Sequence, residues 1–198
     1  IKFYKEARGK GVKPVLGAEL LMEGEGGSVP GPRVLVLVQS QQGYLNLSEI
    51  LARAWTRNVP RGQSQGLIKW DWLQELNAGL ILLSGANAGP VGQAFQRGDK
   101  EGAAREALRL ASLFPHRFYL ELQRAGRPED EGLVTQTVHL AARLNLPVVA
   151  THPVQYFKPD DYESHEARVC IAEGEVLGNQ KRVRRFTREQ YLKSSEQM

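Results

Sequence analysis

Short apolar segments alternate with amphipathic ones along most of the chain, and this alternation constrains the fold more than any other feature. The apolar segments are 14–21, 33–39, 80–83, 117–122 and 147–151. They are short and rich in aliphatic and β-branched residues, as expected of strands that are buried on both faces. Between them apolar residues recur at helical spacing, for example at Leu47, Ile50 and Ala54. The pattern predicts an α/β fold with a parallel sheet.

The composition indicates one ordinary globular domain. The chain has 198 residues, of which 41% are hydrophobic and 24% are charged, and its formal net charge is +4. So small an excess of basic residues is better explained by a solvated surface than by a dedicated nucleic-acid face. The single cysteine, Cys170, excludes an internal disulfide and fits a reducing compartment. No apolar segment approaches the roughly 20 residues of a membrane helix, so we expect no membrane contact and a cytoplasmic location.

Two local features bear on domain organisation. Residues 24–28 are rich in glycine and precede Pro30 and Pro32, which is typical of a flexible turn and not of a phosphate-binding loop. This argues against a Rossmann nucleotide site. The chain also opens at Ile1 in what reads as the middle of a helix, so we expect it to be a fragment of a longer polypeptide.

A basic cluster lies near the end of the chain. It comprises Lys181, Arg182, Arg184, Arg185 and Arg188. Together with Phe186, these side chains could contact phosphates and stack on a base. Alternatively, the segment is a solvated connector that Val183 and Phe186 hold against the core. The sequence leaves both interpretations open and favours the connector.

Six segments in order resemble one known family. They are 2–4 with 11–19, 43–47, 80–85, 118–122, 144–171 and 191–198. Their order and spacing are similar to the polymerase-and-histidinol-phosphatase (PHP) domain, as found in bacterial DNA polymerase III α subunits. The resemblance implies a distorted TIM-like (βα)7 barrel, whose first two βα units would lie upstream of Ile1. It also implies a division into a partial PHP barrel at 1–180 and, at 181–198, a basic connector and helix leading to the polymerase domains.

The resemblance also identifies positions that should carry metal ligands. Family members with phosphoesterase activity are understood to hold metal ions at the carboxyl ends of the barrel strands. Of the four positions that can be compared, only Glu19 keeps a donor, whereas Ala125, Pro153 and Gln155 replace the others. Proline has no free lone pair and a neutral amide is a poor ligand for zinc or manganese. We therefore predict no metal site, no cofactor and no catalytic residue in this chain.

Two histidines near these positions have a structural and a functional interpretation. His152 could be a displaced ligand, but an isolated histidine at a strand end is more often a hydrogen-bonded structural residue. His165 could be a general base, but its position beside Tyr162 on a helix favours packing. We predict the structural role for both, and packing also for Cys170 on the same helix.

The resemblance implies an inactive scaffold that docks the proofreading exonuclease subunit. The parent polypeptide would perform template-directed DNA synthesis with Mg²⁺, and its partners would be DNA and the other subunits of the polymerase III holoenzyme. One alternative is a metal-dependent phosphoesterase or 3′–5′ proofreading nuclease, which only Glu19 supports directly. Another is an autonomous nucleic-acid binder that acts through the basic cluster.

Overall fold

A computed structural model describes residues 2–27, 29–179 and 181–198, so Ile1, Ser28 and Gln180 lie outside the described residues. The strands are β1 (Gly17–Glu23), β2 (Pro30–Val38), β3 (Leu80–Leu83), β4 (Phe118–Gln123) and β5 (Val148–Thr151). The α-helices are α1 (Lys2–Gly9), α2 (Gln41–Arg57), α3 (Trp70–Glu75), α4 (Pro90–Gln96), α5 (Lys100–Leu113), α6 (Asp130–Leu144) and α7 (Tyr162–Glu173). Short 3-10 helices occupy Ala86–Ala88 and Pro159–Asp161. Residues 181–198, where a helix is expected after the basic connector, contain no helix. All five predicted strands are therefore confirmed, with small shifts at their ends.

The five strands form one mixed sheet in the order β1-β2-β3-β4-β5. Strands β3, β4 and β5 are parallel, but β2 is antiparallel to both β1 and β3. The prediction of a parallel sheet is thus wrong for β2. Strand β2 is antiparallel to β1 because the link between them is short. In this link Gly26 and Gly27 have φ of 89° and 71°. Such a link closes a hairpin and is too short for a parallel crossover.

The direction of β2 has one useful consequence. Since β1, β3, β4 and β5 all run the same way, their carboxyl ends lie along one edge of the sheet. Residues that follow Leu83, Gln123 and Thr151 are therefore neighbours in space. This edge is where parallel strands usually present functional side chains.

One face of the sheet carries the core. The buried strand residues of this face pack against apolar side chains of α2, α4, α5 and α6. These strand residues are Leu20, Met22, Val34, Val36, Leu80, Leu82, Phe118 and Leu120. Strand side chains alternate, so the opposite face carries the intervening residues. There Leu37, Ile81 and Tyr119 are only half-buried. The structure is therefore a mixed α/β fold with these four helices on one side of the sheet.

Two of these helices begin at residues that satisfy free N–H groups. The Ser40 Oγ accepts a hydrogen bond from Gly43 N at 3.2 Å, and the Asp99 Oδ1 accepts one from Gly102 N at 2.7 Å. These caps fix where the chain enters α2 and α5. In the part of the chain that is described, no helix has the length and apolar character needed to span a bilayer.

Candidate functional site

A buried carboxylate joins the carboxyl ends of β3, β4 and β5. Glu121 is 5% exposed, and its Oε1 accepts hydrogen bonds from Gln123 Nε2 at 2.9 Å and from Thr151 Oγ1. Its Oε2 accepts a hydrogen bond from Gly85 N at 3.0 Å. The strand is further fixed by Ser84 Oγ, which accepts from Glu121 N at 2.9 Å. Both oxygens are thus satisfied by neutral donors, as a buried carboxylate requires.

The loop after β4 is held by a second carboxylate. Asp130 Oδ2 accepts hydrogen bonds from Ala125 N at 2.6 Å and from Arg127 N at 3.0 Å. Ala125 is fully buried, so a methyl group occupies the position where the family pattern has histidine. Gly126 has φ of 78°, a conformation that favours glycine. The Asp130 side chain therefore stabilises the loop backbone.

In the loop after β5, Pro153 and Gln155 form hydrogen bonds through their backbone. The Gln155 side chain is exposed, whereas its N–H donates to Gln190 O at 2.8 Å. The Pro153 carbonyl accepts a hydrogen bond from Gln190 Nε2 at 3.1 Å. These two positions are thus bound by a segment close to the end of the chain.

Glu19 is not brought together with those loops. It is exposed on β1, forms an ion pair with Arg33, and lines a cavity of about 370 Å³ beside Trp55. A separate cavity of about 610 Å³ lies beside Gly126 and His152. Across the described residues, no group of three or more His, Cys, Asp or Glu side chains is placed to hold a metal ion. The residues present do not fit the metal centre of active family members.

His152 lines the larger cavity. Its Nε2 atom is buried and has no hydrogen-bond partner among the described residues. The expectation that this ring is hydrogen-bonded therefore fails for Nε2.

The predictions that His165 and Cys170, both on α7, have packing roles are confirmed. His165 is 6% exposed, and its ring centroid lies 5.4 Å from that of Tyr156 and 4.7 Å from that of Phe186. Burial lowers the pKa of His165, and the positive charge of Arg168 acts in the same direction. Cys170 is also buried. Both side chains belong to the packing between α7 and the segments beside it.

The basic cluster does not form one exposed surface. The Arg182 side chain is only 5% exposed and forms an ion pair with Glu166, whose side chain is 3% exposed. The hydrogen bond that the Arg182 guanidinium donates to the Glu166 carboxylate raises the pKa of Arg182 above its usual value. Arg182 is therefore not free to contact nucleic acid, which corrects its assignment to the predicted binding surface.

The remaining basic residues differ in how they are held. Arg185 Nε lies 3.2 Å from Glu173 Oε1, and Arg188 lies over the Tyr162 ring at 4.6 Å. Lys181 and Arg184 are exposed. A nucleic-acid role for these four residues stays a prediction.

The two apolar residues of this segment also behave differently. Val183 is 80% exposed, so the prediction that it packs against the core is wrong. Phe186 packs against His165, as predicted.

A sequence model of a family described as "PHP domain" matches residues 1–125, which is more than half of the chain. The chain belongs to the PHP domain family. The match ends before β5 and α7, so the resemblance of those elements to the family depends on individual relatives.

Relatives of this PHP domain align along its whole length. They are the DNA polymerase III subunit alpha of Pseudomonas fluorescens (42% identical over 200 residues), of Neisseria meningitidis serogroup A (43% over 203) and of Escherichia coli K12 (37% over 198). Each alignment covers 100% of this chain and 17% of the relative. The chain thus spans about a sixth of the length of these relatives. The resemblance drawn from the six segments is confirmed.

Sequence reasoning missed several polar residues of this site. Gln190 is 1% exposed, and Asp130 and Glu166 are also buried. No local signal identifies them, because each lies in a polar segment where an exposed side chain is the ordinary expectation.

Proposed function

We propose that this PHP domain is a metal-free scaffold without hydrolase activity of its own. The observation that carries the proposal is the chemistry of the strand-end loops. Ala125 offers no donor, and the loop of Pro153 and Gln155 is bound through its backbone to Gln190. Glu19, the one retained donor, is engaged by Arg33 instead.

The parent polypeptide is proposed to be a replicative DNA polymerase III α subunit. The names of the aligned relatives support this proposal. Its template-directed DNA synthesis would use Mg²⁺ held by residues outside this chain, in the cytoplasm and within a polymerase III holoenzyme. Residues 1–180 would form the PHP domain, and residues 181–198 would lead to the polymerase domains.

Docking of the proofreading exonuclease subunit is the scaffold role that we propose. Cross-linking mass spectrometry on a complex of the full-length polypeptide with that subunit tests it. We expect cross-links from exposed lysines of this domain, such as Lys2, Lys5 or Lys69. A stable complex without any cross-link inside residues 1–198 would contradict docking here.

A distorted TIM-like (βα)7 barrel is the proposed parent architecture. Support comes from the second face of the sheet, where Leu37, Ile81 and Tyr119 are apolar yet half-exposed. Closing a sheet into a barrel buries such a face and also pairs its edge strands. Among the described strands, β5 has only one neighbour in the sheet, β4. Two further βα units upstream of Ile1 would supply a second neighbour for β5.

Elemental analysis of the full-length polypeptide tests the metal-free proposal. We expect zinc and manganese far below one ion per chain, and no hydrolysis of p-nitrophenyl phosphate. The matched control restores donors through Ala125→His, Pro153→Asp and Gln155→His, and this variant should bind more metal than the wild type. Stoichiometric metal in the wild type, together with hydrolysis that Glu19→Ala abolishes, would contradict the metal-free proposal. It would support the alternative of a metal-dependent phosphoesterase or nuclease.

A nucleic-acid contact through Lys181 and Arg184 is a second candidate, because both side chains are exposed and neither forms an ion pair with a described carboxylate. Each phosphate contact changes the slope of log K against log[salt] by about 0.9. Lys181→Ala with Arg184→Ala should therefore reduce the slope for primer–template DNA by about 2. The matched control is Lys2→Ala with Lys5→Ala on α1. Equal slopes for the two double variants would reject this contact.

A further inference from the structure

The segment 186–192 lies across both loops that have lost metal donors. On the β4 side, Thr187 Oγ1 donates a hydrogen bond to the Ala125 carbonyl. On the β5 side, Gln190 O accepts from Gln155 N at 2.8 Å, and Gln190 Nε2 donates to Pro153 O at 3.1 Å. One short segment therefore binds the backbone at Ala125, Pro153 and Gln155, the three compared positions that have lost a ligand.

Gln190 is the residue on which these contacts converge. Its side chain is almost completely buried, and its Oε1 accepts a hydrogen bond from Thr187 N at 2.9 Å. The same amide group thus folds segment 186–192 into a turn and attaches that turn to Pro153. An amide can do both because it carries a donor and an acceptor.

Two tyrosines attach the segment further. Tyr156 OH donates to Thr187 O at 2.7 Å, and Tyr162 OH donates to Phe186 O at 3.3 Å. Leu192 N donates to Tyr156 O at 3.0 Å, which adds a parallel bridge between Tyr156 and Tyr191. The segment is therefore bound along its length, in the manner of a peptide in a groove.

Metal ions at such strand ends would join loops through side-chain donors. Here the loops contribute the carbonyl groups of Ala125 and Pro153, which every residue possesses, and the N–H group of Gln155, which every residue except proline possesses. These contacts do not depend on a metal-ligating side chain at 125, 153 or 155, so they are compatible with the loss of the donors.

We propose that segment 186–192 is an intramolecular peptide ligand of the strand-end loops, which holds the ends of β4 and β5 together in place of metal ions. This inference rests on the proposed metal-free function. It assigns to the segment after Arg185 a role inside the domain, in addition to that of a connector.

Hydrogen exchange at single-amide resolution, measured on the full-length polypeptide, tests the inference. Gln190→Ala removes the acceptor of Thr187 N and leaves the Pro153 carbonyl without its partner. The amides of Gln155, Thr187 and Leu192 should then exchange about tenfold faster or more. The amides of Leu82 and Leu120 in the core should not change.

The matched control is Gln197→Ala. The Gln197 Oε1 accepts a hydrogen bond from Ser194 N at 3.0 Å, across the same three-residue spacing, but on the exposed surface. This variant should leave Gln155 and Thr187 unchanged. Equal exchange at those two amides in Gln190→Ala and wild type would overturn the proposal.

A second variant guards against general unfolding. Gln190→Glu keeps an acceptor for Thr187 N but loses the donor to Pro153 O, so faster exchange should be confined to Gln155 and its neighbours. If Gln190→Ala loosens the whole domain, unchanged exchange at Gln155 in Gln190→Glu overturns the proposal.

Excess MnCl₂ separates the two proposals. If manganese slows exchange in the loops at 124–127 and 152–155 of the wild type, the metal-free function is wrong. The proposal that segment 186–192 is a peptide ligand is tested separately, by whether Gln190→Ala accelerates hydrogen exchange at the amides of Gln155 and Thr187.

Discussion

Glu121 and Glu166 are both buried, at 5% and 2% exposure, yet their surroundings stabilise the carboxylates in different ways. Glu121 accepts hydrogen bonds from neutral groups of the strand ends, including Thr151 and Gly85 N. Glu166 forms an ion pair with Arg182, while its Oε1 and the Arg182 Nε have no partner among the described residues.

The difference concerns what happens when one partner is lost. Several neutral donors share the stabilisation of Glu121, so each one contributes a modest amount. A buried ion pair depends on both members, because one charge left alone in the interior is costly. The hydrogen bonds of Glu121 at the strand ends should therefore tolerate substitution better than the ion pair of Glu166 and Arg182, which attaches the basic segment to α7.

Breaking the ion pair should have the largest effect. Glu166→Ala leaves the Arg182 guanidinium buried without a counter-charge, and we expect Tm to fall by about 10 °C. Differential scanning calorimetry measures this. The control is the double variant Glu166→Leu with Arg182→Leu, which should recover most of the loss because no charge remains buried. A double variant as unstable as the single one would contradict the explanation.

Removing the strand-end carboxylate should have an intermediate effect. Glu121→Ala leaves the donors of Gln123, Thr151 and Gly85 without an acceptor, and we expect a loss of about 2 kcal/mol in the free energy of unfolding. Glu121→Gln keeps an acceptor oxygen and should lose about half as much. Urea denaturation of the two variants tests the order; equal losses would mean that the hydrogen bonds do not matter.

The pH dependence of His165 should be smaller and has a definite sign. Its pKa in the folded state lies below the ordinary value of about 6.5, mainly because the ring is buried. The unfolded chain therefore binds more protons just below pH 6.5, so stability falls as pH decreases through this range. His165→Gln should flatten the curve of Tm against pH between about 5 and 7. His139→Gln, at an exposed position on α6, serves as control and should leave the slope unchanged.

Exposed members of the basic cluster should have the smallest effect. Lys181→Ala and Arg184→Ala remove side chains that lie in solvent, so Tm should change by no more than about 1 °C. Arg182→Ala in the same segment should lower Tm by several times that amount, because it leaves Glu166 unpaired. Similar Tm values for all three would mean that the ion pair contributes nothing.

The strands and helices could be predicted because their signals are local. The apolar segment 80–83 coincides with β3, and the spacing of Leu47, Ile50 and Ala54 identifies the buried side of α2. The direction of β2 was missed, since the apolar character of 33–39 is the same in parallel and antiparallel strands. The short glycine-rich link at 24–28 carried the relevant signal, because so few residues permit a hairpin only.

For the site, the sequence could show what was lost but not what replaced it. The absence of donors at Ala125, Pro153 and Gln155 can be read from residue type. That Gln190 binds the loop after β5 cannot be read, since its burial depends on contacts with residues more than thirty positions away.

By itself, the sequence determined the positions of the five strands, the family and the absence of ligand side chains at Ala125, Pro153 and Gln155, because each depends on residue type and short-range spacing. Only the tertiary structure decided which polar side chains are buried and with whom they pair. Arg182 and Arg184 are two residues apart in one basic run, yet one is buried against Glu166 and the other lies in solvent. The physical reason is that desolvation and pairing are set by distant segments meeting in space.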